Sequence, residues 1–243
     1  MGEITGIGWT GSTWNPWMGC RSVSPGCHHC YARTLVTNLM GRDFSKVRRT
    51  TDRNFTAPER WKEPRLIFTC SISDFFIEEA DAWRKEAWEI IRKTPHHTYQ
   101  VLTKRPERIL GNLPEDWGDG YPNVWIGTSV EDQKRADERI PILMGVPAKV
   151  RFLSCEPLLE PISIAGFLAF ANSPKWVIAG GESGPNPRPC SIESLASLRD
   201  QCAESKTAFY LKQLGGHPDK RDHERAVLEG KTYTEMPSIK DHP

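Results

Sequence analysis

KVRFLSC, residues 149–155, is a short run of β-branched and apolar residues that ends in small side chains and leads straight into Glu156 and Pro157. A run of that length between polar flanks reads as a strand. The same form recurs at 65–71 (RLIFTCS), 98–104 (TYQVLTK), 123–129 (NVWIGTS), 175–180 (KWVIAG) and 207–212 (TAFYLK), with a shorter candidate near 14–19. Helical patterns lie between them. In 79–93, Trp83, Ala87, Ile90 and Ile91 recur at spacings of three and four until Pro95 stops the run, and Ile192, Leu195, Leu198 and Cys202 repeat the pattern in 191–204. The stretch 30–41 reads as a helix ending at Gly41, and 131–144 opens on acidic residues suited to a helix N-terminus, with Pro141 expected to split it in two. Strands alternating with helices predict an α/β fold of parallel β/α units. Six or seven units point to a full or partial (β/α) TIM-like barrel, with a doubly wound sheet as the alternative.

A chain of 243 residues can bury one full core, so a single barrel domain is expected over 1–216, with a basic insertion at 42–64 and a polar, peripheral extension at 217–243. Its net charge of +1 excludes a global field that would pull the whole protein onto nucleic acid and leaves room only for local basic patches. No stretch approaches the roughly 20 apolar residues of a membrane span. The opening MGEITGIGWTGSTW lacks the basic-then-apolar order of a signal peptide, so a cytoplasmic location and no membrane partner are expected.

Seven cysteines are an odd number for a disulfide framework, and three of them, Cys20, Cys27 and Cys30, fall within eleven residues. The segment TWNPWMGCRSVSPGCHHCYAR (13–33) spaces them C-x6-C-x2-C, and Pro25-Gly26 turns the chain back just before Cys27. Thiolates on such a loop bind soft or borderline metals. Zinc would need a fourth ligand such as His28, His29 or Cys70, whereas an iron–sulfur cluster can leave one iron open.

In a barrel, function sits at the C-terminal ends of the strands. Those ends carry Ser71, Ser73 and Asp74, then Thr103, Lys104 and Arg105, then Thr128, Ser129 and Glu131, then Ser154 and Glu156, then Gly180, Gly181, Glu182 and Ser183, and finally Lys212 and Gln213. Alternation puts Phe152, Ser154 and Glu156 on one face and Arg151, Leu153 and Cys155 on the other, so Cys155 reads first as a packing residue and second as a hydrogen donor. The basic stretch 42–65 interleaves eight Lys and Arg with Phe44, Phe55 and Trp61. Arg48, Arg49 and Arg53 are its candidate phosphate contacts and the aromatics its candidate stacking platforms, with a solvated loop as the other reading.

The blocks TWNP-x-x-GC, SPGC-x-x-CYA, LTKRPER, VWIGTSVE, FLSCEPLL, IAGGESGP-x-x-RP and LKQLGG, spread in order over most of the first 216 residues, resemble the radical S-adenosylmethionine (SAM) superfamily. More closely, they resemble phage and bacterial radical-SAM-like proteins of unassigned function, distantly similar to spore photoproduct lyase. The commonest superfamily spacing is C-x3-C-x2-C, and the first gap here is three residues longer. The resemblance implies that Cys20, Cys27 and Cys30 hold a [4Fe–4S] cluster whose fourth iron binds SAM. An electron donor and reductive cleavage to a deoxyadenosyl radical follow, with DNA, RNA or a modified nucleotide as substrate in a repair-like reaction. It implies SAM contacts from Tyr31, directly after the last cysteine. The strand-end residues Ser71, Asp74, Lys104, Thr128, Ser129, Glu131, Ser154, Glu156, Gly180, Gly181, Glu182 and Lys212 are the further candidates. A zinc-dependent hydrolase or deaminase, or a non-catalytic metal-stabilised nucleic-acid binder, stays open on the same residues.

Overall fold

The computed structural model describes residues 3–184, 186–215 and 226–237. Its strands are β1 (Ser12–Trp14), β2 (Trp17–Met18), β3 (Arg48–Arg49), β4 (Leu66–Thr69), β5 (Thr98–Thr103), β6 (Val124–Ser129), β7 (Val150–Cys155), β8 (Trp176–Gly180) and β9 (Ala208–Gln213). Its α-helices are α1 (Tyr31–Thr34), α2 (Asp52–Phe55), α3 (Asp81–Lys93), α4 (Gln133–Met144), α5 (Ala165–Leu168) and α6 (Ile192–Ser205). Seven strands form one sheet in the order β1-β4-β5-β6-β7-β8-β9, and the β1–β4, β4–β5, β7–β8 and β8–β9 pairings are parallel. The order follows the sequence without reversal, so the doubly wound alternative, which needs a switch point, is set aside. The first strand of the sheet is 12–14. Residues 17–18, expected to continue it, turn away to pair antiparallel with β3.

The chain forms two compact units, one of Met1–Val23, Cys30–Ile126 and Val146–Lys149, the other of Ser24–His29, Gly127–Gly145 and Val150–Pro243. In the first, Trp14, Trp17, Phe55, Ile67, Phe75, Ile91 and Tyr99 are fully buried, each large apolar side chain contributing roughly 1.5–3 kcal/mol. Two of these tryptophans reconcile burial with a polar edge: Trp14 Nε1 donates to the Phe55 carbonyl at 2.9 Å and Trp17 Nε1 to the Asp74 carbonyl at 3.0 Å. The 42–64 insertion is built into this unit rather than looped over it. Its β3 pairs with β2, and the Thr50 hydroxyl donates to the Pro16 carbonyl at 2.9 Å.

In the second unit, Phe152, Trp176, Ile178, Leu195, Leu198, Phe209 and Leu211 are buried. Helix α4 is capped by Asp132, whose side chain accepts from the Arg135 N–H, and it runs through Pro141 instead of breaking there. Proline removes one N–H near the helix end, and buried Ala136, Ile140 and Leu143 keep the face in place. Within the expected extension, residues 226–237 are described. Ala226 and Leu228 are fully buried, Tyr210 bridges antiparallel to Thr234, and the Leu211 N–H donates to the Tyr233 carbonyl at 2.9 Å. With β8 on one edge of β9, this segment occupies the other. The remainder of 217–243 lies outside the described residues.

Candidate functional site

In the first unit, the cysteine loop starts at Gly19, whose φ of +95° and a Cβ position only 2.7 Å from the Lys46 carbonyl oxygen admit no side chain. Cys20 follows, with its N–H donating to the Phe44 carbonyl at 2.9 Å. Cys20 and Cys30 both pack against one apolar cluster of Met18, Ala32, Val36, Phe44 and Ile72. From the end of β5, the buried Arg105 reaches this loop, donating to Cys20 Sγ at 3.7 Å and to the Arg21 carbonyl at 2.9 Å. Burial would lower the pKa of Arg105, but the charges of Asp74 and Cys20 outweigh it and raise the value.

Asp74 is the scaffold for that arginine. Its carboxylate accepts from the Thr103 hydroxyl at 2.7 Å and from the backbone N–H groups of Phe76 and Lys104 at 2.9 Å each, and it meets Arg105 at 3.1 Å. Expected as a cofactor ligand, it is fully engaged inside the protein. Ser71 is likewise tied in: its hydroxyl accepts from Asn15 at 3.0 Å and its carbonyl from the Tyr31 hydroxyl at 2.5 Å. Lys104 is half-buried, with its backbone on Asp74.

In the second unit, the segment 24–29 is gripped by three side chains. Glu131 is completely buried, ion-paired to Arg139 at 2.9 Å, and accepts from the Gly26 N–H at 3.3 Å. A Cβ on Gly26 would lie 3.1 Å from that carboxylate and press on it. Glu182, also buried, meets His29 Nδ1 at 2.8 Å and takes the Arg188 guanidinium at 2.5 Å, while Arg188 donates to the Pro25 carbonyl at 3.0 Å. Burial would raise the pKa of Glu182, but hydrogen bonds from Arg188 and His29 hold it below the ordinary value. Glu131 and Glu182, expected at SAM, thus fasten the loop. Arg139 and Arg188 were not singled out from sequence, although Arg188 lies in the GP-x-x-RP block.

At the ends of β7 and β9, Lys212 pairs with Glu156 at 2.8 Å and the Ser154 hydroxyl donates to Glu156 at 3.3 Å. Ser154 and Glu156 share a face as the alternation of β7 predicts, and Lys212 reaches them from β9. Cys155 is completely buried on the opposite face; burial first, then Cys202 of α6, pushes its thiol well above the usual range. Its side chain is part of the buried core of the second unit. The Gly180-Gly181 turn is tight for a local reason: a Cβ on Gly181 would stand 2.5 Å from the Leu214 carbonyl oxygen, beside the end of β9. Thr128 and Ser129 are buried in β6, and the Ser129 carbonyl accepts from Arg139 at 2.8 Å.

The basic insertion is mostly committed to its own fold. Arg49 is bound by Asp52 at 2.5 Å and Glu86 at 2.8 Å and lies over the Phe55 ring at 3.9 Å. Phe44 and Phe55 are buried, so neither can stack on a base. Arg48 donates to backbone carbonyls of Asp43 and Lys46, and Arg53 is exposed.

Among the described residues, no group of three or more His, Cys, Asp and Glu side chains is gathered closely enough to hold a metal ion. By donor chemistry the set suits a thiophilic metal, because Cys20, Cys27 and Cys30 form no disulfide and are partly accessible thiols in one eleven-residue segment. No described helix is long and apolar enough to cross a membrane. No curated protein and no solved structure matches the chain. The model of one protein family, described as a protein of unknown function (DUF5131), matches residues 4–237, and the chain belongs to that family.

Proposed function

We propose that the chain is an iron–sulfur enzyme of the radical SAM type on a partial (β/α) barrel, with Cys20, Cys27 and Cys30 as cluster ligands. One observation carries this reading. Three thiols that form no disulfide lie within eleven residues on the segment that follows the first strand of a sheet whose parallel strands keep sequence order. When bound, the cluster and SAM supply reductive radical chemistry, drawing one electron from a donor protein and a hydrogen atom from a substrate.

The chain's own residues orient and neutralise. Arg105 and Asp74 hold Cys20, and Glu131, Glu182 and Arg188 hold the 24–29 segment. Glu156, Ser154 and Lys212 offer a carboxylate, a hydroxyl and an ammonium to the polar parts of SAM, and the partly exposed Tyr31 ring offers a face for its base. A nucleic acid or modified nucleotide is the proposed substrate class, met by Arg48 and Arg53 rather than by the occupied Arg49. A reducing, cytoplasmic setting accords with the free thiols.

Anaerobic purification is the first test: iron and sulfide with a brown colour are expected, lost in Cys27→Ala without loss of fold. The reduced, loaded protein incubated with SAM should release deoxyadenosine. A fully loaded protein that releases none, with candidate nucleic acids present, removes the radical mechanism. One contact favours a second reading. Glu182 holds His29 by Nδ1, which leaves Nε2 as a ligating nitrogen in the carboxylate–histidine arrangement common at zinc. Zinc alone in the purified protein would select it.

A further inference from the structure

Arg105 is a charged side chain that reaches a thiol of the cysteine loop. It is 8% exposed, and its two terminal nitrogens divide between Cys20 Sγ at 3.7 Å and the Arg21 carbonyl at 2.9 Å. Its aim is fixed from behind. Asp74, 5% exposed, takes Arg105 at 3.1 Å while held by the Thr103 hydroxyl and the N–H groups of Phe76 and Lys104. The Arg105 backbone N–H also donates to the Thr103 hydroxyl at 2.9 Å. A surface arginine adjusts to many neighbours. This one is bound on two sides, next to an apolar cluster that lowers the local dielectric and strengthens its field.

We propose that Arg105 is a positioning residue of the metal loop, which fixes Cys20 through its sulfur and the next carbonyl and, by its N–H···S bond and charge, raises the reduction potential of the bound cluster. The inference rests on the iron–sulfur reading. Hydrogen bonds to cluster sulfurs and nearby positive charge stabilise the reduced form, which carries one more electron. Asp74 acts through Arg105, whose guanidinium it holds at 3.1 Å. Its negative charge also tempers the guanidinium, so removing Asp74 is not equivalent to removing Arg105.

The test uses the full chain, reconstituted anaerobically with iron and sulfide and titrated with dithionite through redox mediators, without SAM, the reduced cluster being read by electron paramagnetic resonance. Arg105→Gln is expected to load iron to the wild-type ratio and to become about tenfold harder to reduce in its one-electron equilibrium, a midpoint lower by about 59 mV. Arg105→Lys keeps the charge without the fork and should recover at least half of that shift. A loaded Arg105→Gln protein with the wild-type midpoint overturns the proposal, as does an Arg105→Lys midpoint no higher than that of Arg105→Gln. If Arg105→Gln does not load, Arg105→Lys is compared with wild type: a lower midpoint supports the proposal and an equal one overturns it. A wild-type chain that takes up no iron and sulfide overturns the iron–sulfur reading and the inference with it. A wild-type cluster with an unmoved variant overturns the inference alone.

Discussion

Glu131 shows how little a polar strand-end residue declares about its role. It is completely buried, and its charge is answered by Arg139 at 2.9 Å. Removing one partner of a buried pair leaves an uncompensated charge and costs about 3–5 kcal/mol. Arg139→Met is therefore expected to lower stability by about 3 kcal/mol in urea unfolding. The double variant Glu131→Gln with Arg139→Met should recover at least half of that, and no recovery would remove Glu131 from the scaffold role. Gly127 makes a second case. A Cβ there would stand 2.5 Å from the Phe152 ring, so Gly127→Ala should cost about 1–3 kcal/mol through overpacking, checked by the same unfolding measurement.

At the scale of elements, His97 ties the start of β5 to the 57–60 turn, its Nε2 lying 3.1 Å from the Pro58 carbonyl. It is completely buried, and burial, ahead of His96 and Arg65, depresses its pKa below 6.5. With a depressed value, the unfolded chain takes up the proton first as pH falls. The stability due to neutral His97 is thus present above pH 6.5 and declines as pH drops toward the folded value. Thermal unfolding between pH 7.5 and about 5 should show that decline in wild type and a flatter profile in His97→Asn. A parallel slope in both would exclude this histidine. The strands were legible because β-branched runs between polar flanks have few other uses. What sequence could not separate was role within a shared chemistry. Phe44 and Phe55 amid arginines read as stacking platforms, yet they are core, and Arg49 amid them is neutralised by Asp52 and by Glu86, thirty-seven residues away. Pro141 reads as a break wherever its missing N–H would matter, and near a helix end it matters little.

At the scale of the whole molecule, the stretch after β9 is anchored by an apolar run too short to show a period. Ala226-Val227-Leu228 is three residues long, and Ala226 and Leu228 are fully buried. Around them the segment 226–237 is sewn to the second unit. Trp176 Nε1 donates to the Glu235 carbonyl at 2.8 Å, the Glu235 N–H donates to the Phe209 carbonyl at 3.2 Å, and Arg199 meets Glu229 at 2.6 Å. Its larger effect is on β9, whose second edge would otherwise offer unpaired N–H and carbonyl groups to another chain. A chain ending at residue 225 is therefore expected to self-associate as concentration rises, measured by light scattering on a sizing column, while the full chain keeps a constant mass. Leu228→Ala tests the anchoring alone: it should cost about 2–5 kcal/mol without self-association, because the strand-edge pairing stays. If the shortened chain keeps the mass and melting temperature of the full one, the segment neither anchors the second unit nor guards its edge.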